Sequence, residues 1–290
     1  MYKTGVITDE ITQDLISAVN LLKQYQLDAM EIRSVDEKNP FQMGRRDVDY
    51  IARVSREYGL PICAVSSPLF KCNLDNEKEI KENLEGFRRV LEAMHTWECR
   101  LVRGFTFWNR NKGSEDIPLV LERYQPVIEL ARDAGVTVVV ESEPSVTVCS
   151  GIMLAGFLEA LDSPQIKALW DPGNDINGRD YIPPYPNAYE RLKTHIAHVH
   201  LKDMKATENG YDPVLLSEGD VDCEGVLSRL VADHYSGYIV LETHYRMSGR
   251  MNEDAMTKPQ GSAFSAGGYE ATVACLDILQ SRFGWGGKRE

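Results

Sequence analysis

Short apolar runs rich in Val, Ile and Leu alternate with longer segments of helical periodicity along the whole chain. Such runs, bounded by turn residues, predict strands, and apolar positions that recur at helical spacing predict amphipathic helices. The predicted strands are residues 4–9, 28–34, 61–67, 100–107, 136–143, 166–171, 196–202 and 237–243. The predicted helices are residues 14–26, 47–58, 77–97, 116–134, 151–161, 188–195, 223–235 and 268–283. The pattern is a strand followed by a helix, repeated from end to end.

This repetition predicts the α/β class and, within it, a single (β/α)₈ TIM barrel domain over residues 1–290. Three predicted helices are followed by a glycine just before the next strand, at Gly59, Gly135 and Gly237, which is the expected C-cap. Strand and helix units without a break in composition favour a closed barrel over an open sheet. A doubly wound sheet is the alternative, but no glycine-rich phosphate-binding motif follows the first predicted strand.

Polar residues recur on one parity of the predicted strands. In the segment 196–202 the apolar residues alternate with His198, His200 and Lys202, and the second strand places Glu31 and Arg33 on one parity in the same way. Successive side chains of a strand point to opposite faces, so the apolar set can face the helices and the polar set the barrel interior. Branched aliphatic side chains normally fill that interior, so these polar side chains indicate a functional site.

Composition and charge limit the classes of molecule that this protein is expected to bind. The chain is 43% hydrophobic and 26% charged, which is ordinary for a globular protein, and its net charge is −12. An acidic chain is unsuited to binding a phosphate backbone, and no apolar run approaches the ~18 residues of a membrane span. The six cysteines form no Cys-x-x-Cys pair, which predicts free thiols in a reducing cytoplasm. We therefore expect a cytoplasmic protein that binds neither nucleic acid nor membrane; a homo-oligomer stays open.

Four residues that can bind a metal end four successive predicted strands: Glu141, Asp171, His200 and Glu242. The intervals are 30, 29 and 42 residues, and a barrel of about 250 residues spends roughly 31 on each unit. Since the carboxyl ends of barrel strands converge on one mouth, we expect these side chains to share one divalent cation. Three carboxylates and an imidazole suit Mn²⁺, Mg²⁺ or Co²⁺, and Zn²⁺ is a further option. Such a site indicates metal-assisted chemistry on a small oxygenated molecule.

The chain resembles the xylose isomerase-like TIM-barrel superfamily of sugar phosphate isomerases and epimerases. The phrases that match it are ITDEI at 7–11, MEIRSV at 30–35, VRGFTFW at 102–108, WDPGN at 170–174, HVHLKD at 198–203 and LETH at 241–244. The resemblance implies that Glu141, Asp171, His200 and Glu242 are the metal ligands. It also implies that Glu141 and Glu242 form the catalytic acid/base pair of an isomerase or epimerase acting on a sugar or keto-polyol.

The implied chemistry has alternatives. A metal-polarised carbonyl acidifies its α-carbon, so a carboxylate can remove that proton and a second one can return it. An inosose dehydratase-type lyase would use the same proton removal, and a catalytically silent sugar-binding barrel would use none. Type IV apurinic endonucleases, which the superfamily also contains, bind further metals through histidines on strands three, four and six. Those regions here carry no histidine, and Asn174 stands after Asp171-Pro-Gly, which argues against DNA repair.

The other candidates are side chains expected to contact the substrate from the barrel interior or its mouth. They are Glu31, Arg33, Arg103, Trp108, Asn174, His198 and Lys202. Each has a structural alternative: an internal ion pair for Glu31 and Arg33, a structural role for Arg103, and a lid or interface role for Trp108. His198, one layer deeper than His200, suits a core hydrogen bond, and Lys202 can also be a solvated lysine.

Two loops and one glutamate complete the expectations. Glu143 shares the parity of Glu141 and is the alternative ligand, although Glu141 directly ends the apolar run. The segments 108–113 and 258–268 each follow a predicted strand, where active-site loops of barrels belong. We expect both at the mouth as lid and recognition elements, with phosphate binding by 258–268 a second option.

Overall fold

A computed structural model describes residues 1–176, 183–208, 210–249, 251 and 256–287. Eight parallel strands close into a barrel, and the first strand pairs with the last. The barrel strands are β1 (Lys3–Ile7), β2 (Ala29–Ile32), β3 (Ile62–Leu69), β4 (Leu101–Gly104), β5 (Thr137–Glu141), β6 (Ile166–Trp170), β7 (Ile196–Leu201) and β10 (Tyr238–Leu241). The predicted α/β class and the (β/α)₈ TIM barrel are therefore confirmed.

Helices between the strands surround the barrel. They are α1 (Leu15–Gln24), α2 (Arg45–Tyr58), α3 (Glu77–Trp97), α4 (Ile117–Ala134), α5 (Gly151–Leu161), α6 (Pro172–Ile176), α7 (Tyr189–Leu192), α8 (Cys223–Ala232), α9 (Gly261–Ser265) and α10 (Gly268–Phe283). Asp14, Asn76 and Ser150 accept backbone N–H groups at the starts of α1, α3 and α5. These side chains satisfy amide donors that the first helical turn leaves without partners. None of the helices that the structure describes could cross a membrane.

The predicted alternation on β7 is confirmed. Val199 and Leu201 are buried among the apolar side chains between strand and helices, and His198 and His200 are fully buried in the polar barrel interior. On β5, Val138 and Val140 pack in the same apolar layer between the strands and the helices, so this layer continues around the barrel. The hydrophobic layer holds the strands in place, which lets the strand ends carry charged groups.

Several predicted element ends differ from the structure, and two of these differences have a visible local cause. The first strand ends at Ile7 rather than residue 9, because Ile11 and Thr12 donate their N–H groups to the Thr8 carbonyl and close a 3₁₀ turn. Gly59 and Gly135 are left-handed C-caps as predicted, but Gly237 is not. The preceding helix ends at Ala232, and His234 takes the left-handed conformation (φ 57°).

A two-stranded antiparallel hairpin follows β7 and is absent from the prediction. It consists of β8 (Asp203–Thr207) and β9 (Gly210–Val214). The carboxylate of Asp203 accepts the backbone N–H groups of Met204, Gly219 and Val221. Asp203 therefore fixes the base of the hairpin against the segment that leads into α8, at the same end of the barrel as His200.

Candidate metal centre and substrate cleft

Glu141, Asp171, His200 and Glu242 converge at the carboxyl ends of their strands. Glu141 is the last residue of β5, Asp171 and Glu242 directly follow β6 and β10, and His200 lies one residue before the end of β7. All four are buried, and each offers one ligand atom such that the four atoms lie within 4.8 Å of one another. The four residues that the sequence spacing predicted to converge therefore do lie close together in the structure.

The orientation of His200 fits a cation at the centre of this cluster. Its Nε2 atom lies 3.1 Å from Oε1 of Glu31, whereas its Nδ1 atom is buried and has no hydrogen-bond partner among the described residues. Nδ1 lies 3.8 Å from Oε1 of Glu141 and 3.7 Å from Oε2 of Glu242. A buried nitrogen without a partner is costly unless something binds it, and a divalent cation suits this donor set.

Glu141 is held through both of its carboxylate oxygens. Asn174 donates its side-chain amide to Oε1 at 2.9 Å, and Arg103 donates Nη1 to Oε2 at 3.0 Å. Burial opposes ionisation, but the charge of Arg103 and the nearby His200 hold the pKa of Glu141 at about 2. Asn174 sits on the short helix α6 directly after Asp171, so α6 orients a ligand that belongs to the neighbouring strand.

Glu242 is held in the same way by two cations. Arg33 donates Nη1 to Oε1 and Lys202 donates Nζ to Oε2, both at 2.7 Å. Burial opposes ionisation, but the ammonium of Lys202 holds the pKa of Glu242 well below its ordinary value. Glu141 and Glu242 are thus two fixed carboxylates that stay charged in a buried site.

Lys202 is buried, so the alternative of a solvated lysine is wrong. Its Nζ atom lies 2.5 Å from Oδ2 of Asp171 and 2.7 Å from Oε2 of Glu242. Burial alone would lower the pKa of Lys202, but these carboxylates raise it above its ordinary value. The ammonium therefore neutralises two of the clustered carboxylates from the side of the cleft.

Glu31 and His198 lie beneath His200 and do not line the cleft. Glu31 accepts from Ser66 at 2.5 Å and pairs with Nε2 of His198 at 2.7 Å. Burial opposes ionisation, but His200 and His198 hold the pKa of Glu31 well below its ordinary value. The structure therefore places both residues as supports of His200, and a direct substrate contact stays a prediction for them.

Arg33 belongs to a second network rather than to an ion pair with Glu31. Besides Glu242, its guanidinium binds Asp9 and Glu10, both in the 3₁₀ turn after β1. Glu10 lies 3.4 Å from Nε2 of His244. Asp9, Glu10 and His244 were not singled out from the sequence as site residues, although the phrases ITDEI and LETH contain them.

A cleft opens above the cluster and has two connected lobes. The metal lobe, about 180 Å³, is lined by Glu141, Asn174, Lys202, Glu242 and their neighbours Glu143 and His244. The basic lobe, about 210 Å³, is lined by Arg33, Lys71, Arg103, Trp108 and Lys258 together with Thr257 and Gln260. Lys71 and Arg103 line both lobes. The predicted contacts Arg33, Arg103, Trp108, Asn174 and Lys202 therefore all line the cleft.

The structure distinguishes the two glutamates at the end of β5. Glu143 pairs with Nζ of Lys71 at 2.8 Å on the cleft wall and is not part of the four-residue cluster that contains Glu141. The start of segment 258–268 reaches the cleft through Lys258, Pro259 and Gln260. In segment 108–113, Trp108 reaches it, whereas Arg110 turns away to bind Asp75 and Asp116.

The comparisons with known proteins identify the family. The model of the xylose isomerase-like TIM barrel family matches residues 19–263. The chain belongs to this family. No curated protein sequence matches the chain significantly.

Solved structures of the same fold cover almost the whole chain. A D-tagatose 3-epimerase-like protein superposes with a TM-score of 0.69 at 19% identity, covering 97% of this chain and 99% of that one. The probable 3-DHS dehydratase of Bacillus anthracis has a TM-score of 0.73 at 14% identity, covering 97% and 99%. An IOLI protein with a bound zinc atom has a TM-score of 0.70 at 17% identity, covering 96% and 97%. At these identities the likeness shows the fold, which hosts more than one reaction.

Proposed function

We propose that this protein is a divalent-metal-dependent isomerase or epimerase that acts on a sugar or keto-polyol by proton abstraction α to a carbonyl. The observation that carries the proposal is the pair of fixed, charged carboxylates, Glu141 and Glu242, each within 3.8 Å of the Nδ1 atom of His200, which has no hydrogen-bond partner among the described residues. Positioned carboxylates of this kind can remove a proton from carbon and deliver one to it.

We assign the ligand set Glu141, Asp171, His200 and Glu242 to one ion of Mn²⁺, Mg²⁺, Co²⁺ or Zn²⁺. The zinc atom bound to the IOLI protein keeps zinc among the options. When bound, the ion would polarise the substrate carbonyl and acidify the neighbouring C–H group. Every other step belongs to the side chains of the protein itself.

One of the two carboxylates removes the α-proton and becomes a carboxylic acid. In an isomerisation this acid returns the proton to the neighbouring carbon. In an epimerisation the second carboxylate takes a proton from solvent and delivers it to the opposite face, while the first releases its proton to solvent. Arg103 and Asn174 fix Glu141, and Arg33 and Lys202 fix Glu242, so neither needs to reorganise during the transfer. Lys202 also has a third N–H to donate to a substrate oxygen, since its two carboxylate contacts use two. Solvent exchange into the α-position is the expected consequence.

A lyase on the same site is the second candidate, because dehydration begins with the same α-proton removal and the chain shares its fold with a probable dehydratase. A silent sugar-binding barrel is less consistent with the structure, because all four ligand positions are occupied by side chains that can bind a metal.

The test is a screen of ketoses, inososes and hydroxypyruvate with Mn²⁺ in deuterated water. We expect deuterium at the α-carbon of the product or of recovered substrate, and loss of that exchange in Glu141→Gln and Glu242→Gln. A new ultraviolet-absorbing enone or diketone would establish the lyase. Turnover without incorporation of solvent hydrogen would indicate direct hydride transfer instead of proton transfer.

A further inference from the structure

The basic lobe has a charge pattern that the proposed chemistry at the metal lobe does not use. Four cationic side chains line it, Arg33, Lys71, Arg103 and Lys258, and no carboxylate does so among the residues that the structure describes. The metal lobe, in contrast, is lined by Glu141, Glu143 and Glu242. Because Lys71, Arg103 and Lys202 also line the metal lobe, that end of the cleft carries charges of both signs, whereas the described lining of the basic lobe carries only positive charges, within a chain whose net charge is −12.

Not every cation in this lobe is available. Arg33 is already paired with three carboxylates, those of Asp9, Glu10 and Glu242, and these raise the pKa of Arg33 in spite of its burial. A ligand would gain little from a guanidinium so completely neutralised. Arg33 is therefore part of the support of Glu242 rather than a recognition group.

Lys71 and Arg103 are less completely neutralised. Nζ of Lys71 lies 4.3 Å from the ring centroid of Phe105, and the guanidinium carbon of Arg103 lies 4.8 Å from the same ring. Burial lowers the pKa of Lys71, and repulsion from Arg103 lowers it further, so that its ion pair with Glu143 does not compensate. Two like charges in a site shielded from water attract an anion between them.

Arg103 also has an unused donor. Its side chain is buried, it binds Glu141 through Nη1, and its Nε atom has no hydrogen-bond partner among the described residues. Lys71 donates to Glu143 and to the Thr257 carbonyl, so within the described part of the chain its third ammonium N–H has no acceptor. The site thus contains unsatisfied donors on two buried cations, which is the arrangement that an oxyanion satisfies.

Trp108 and Lys258 complete the lobe on its outer side. The Nζ atoms of Lys71 and Lys258 lie 5.9 Å and 5.5 Å from the ring centroid of Trp108. Lys258 is exposed, whereas the side chain of Lys71 is only 8% exposed, so one ammonium near the ring lies inside the lobe and the other at its outer side. An anion in the lobe would meet both cations beside a flat apolar surface.

We infer that the basic lobe is an anion subsite, built by Lys71, Arg103 and Lys258, that binds a carboxylate or phosphate group of the substrate while the carbonyl lies in the metal lobe. The substrate class is therefore an anionic keto-sugar or keto-polyol rather than a neutral one. This orientation of the substrate rests on the proposed function, whereas the anion subsite itself does not.

The first experiment tests the subsite without any turnover. The full-length protein, loaded with Mg²⁺, is titrated by calorimetry with inorganic phosphate and separately with acetate at constant ionic strength. We expect one-site binding of at least one anion, weakened about fivefold by Lys258→Gln and about tenfold or more by Lys71→Met. Lys205→Gln, an exposed lysine of the hairpin, should bind as the wild type does.

Two results would overturn the subsite. One is that neither anion binds, and the other is that both lysine variants bind the anion as tightly as the wild type, which would place it on the metal. Because Lys71 is buried, the fold of Lys71→Met is checked by circular dichroism, and the exposed Lys258→Gln decides the outcome if that variant is unfolded.

The second experiment tests the substrate class with three compounds that share one carbon skeleton: D-tagatose, D-tagaturonate and D-tagatose 6-phosphate. We expect the carboxylate or the phosphate to bind about tenfold more tightly than the neutral sugar, with the preference reduced in Lys258→Gln. Equal binding of all three would overturn the anionic class. If the anionic sugars bind but exchange no α-proton with deuterated water, the subsite stands and the proposed isomerase or epimerase activity fails.

Discussion

The Nε2 atom of His200 and the Oε1 atom of Glu31 lie 3.1 Å apart, and this contact decides which ring nitrogen faces the carboxylate cluster. A charged carboxylate only accepts hydrogen bonds, so Nε2 of His200 donates. In a neutral imidazole the proton is then on Nε2, and the lone pair of Nδ1 points toward Glu141 and Glu242. Glu31 therefore prepares His200 to bind a cation, although it is not itself one of the four clustered residues.

The first prediction is that Glu31→Gln weakens metal binding by about 10–100-fold. A glutamine has one acceptor oxygen for the two histidines that Glu31 now serves, so the tautomer of His200 is no longer fixed. Calorimetric titration with Mn²⁺ measures the effect. Ser66→Ala is the matched control, since it removes a donor to the same Oε1 atom but keeps the carboxylate. Equal Mn²⁺ affinity in Glu31→Gln and wild type would show that the tautomer is set elsewhere.

The second prediction concerns the ammonium of Lys202. In Lys202→Met, the buried carboxylates of Asp171 and Glu242 lose a shared partner, so the metal-free protein should lose about 3 kcal/mol of unfolding free energy. Adding Mn²⁺ should restore most of this loss, because a bound cation neutralises the same oxygens and stabilises the folded state by mass action. Urea unfolding with and without Mn²⁺ measures both values.

The exposed Lys205→Met serves as the control for Lys202→Met, and it should change neither value. If the loss in Lys202→Met is the same with and without Mn²⁺, the carboxylates beside Lys202 do not bind the ion.

The barrel and the four-residue cluster could be predicted because both depend on local pattern. The helices 77–97, 151–161 and 268–283 coincide with the structure to the residue. Each has a clear end signal: Asn76 and Ser150 cap the starts of the first two, and Gly284 caps the end of the third. The cluster follows from strand spacing, because strands of one barrel bring their carboxyl ends together whatever their order along the chain. The alternation of polar and apolar residues along the predicted strand was enough to predict that His198 and His200 point into the barrel interior.

The supporting contacts could not be predicted in this way. Lys71 binds the carbonyl of Thr257, 186 residues away, and Arg33 binds Glu242, 209 residues away. No local pattern indicates such partners, because they depend on how the barrel closes. The hairpin after β7 did have a local signal: the Asn-Gly dipeptide at 209–210 is typical of a tight hairpin turn.

The third prediction is a pH dependence that depends on Asp175. Its carboxylate accepts the N–H of Gly151 and the indole N–H of Trp170, and burial raises the pKa of Asp175 to about 6. The folded chain thus binds this proton more tightly than the unfolded chain, where the ordinary value is near 4. The stability that the protonated form contributes is therefore present at low pH and is lost as the pH rises from about 4 to about 6.

Asparagine cannot ionise, so Asp175→Asn should remove this pH dependence of stability. It should also lower the unfolding free energy by the same amount at every pH, because its amide group faces the indole N–H donor. Between about pH 4.5 and pH 7.5, the unfolding free energy of wild type should fall relative to that of Asp175→Asn by about 2 kcal/mol. Denaturant titrations at pH 4.5 and 7.5 give the difference. Asp133→Asn, on the exposed end of α4, should titrate as the wild type does. Identical pH profiles for wild type and Asp175→Asn would contradict the assignment.

The last prediction concerns Trp108, which is half-buried on the wall of the basic lobe and lies near the ammonium groups of both Lys71 and Lys258. Trp108 lines the basic lobe and is not part of the lining of the metal lobe, so it should contribute to substrate binding before and during the reaction alike. Trp108→Ala should therefore raise KM about tenfold while kcat changes little, as the loss of uniform binding requires. Steady-state kinetics on the substrate found by the screen measure both. Trp108→Phe keeps an aromatic face and should recover most of the affinity, whereas a fall in kcat at constant KM would place the indole in the chemical step.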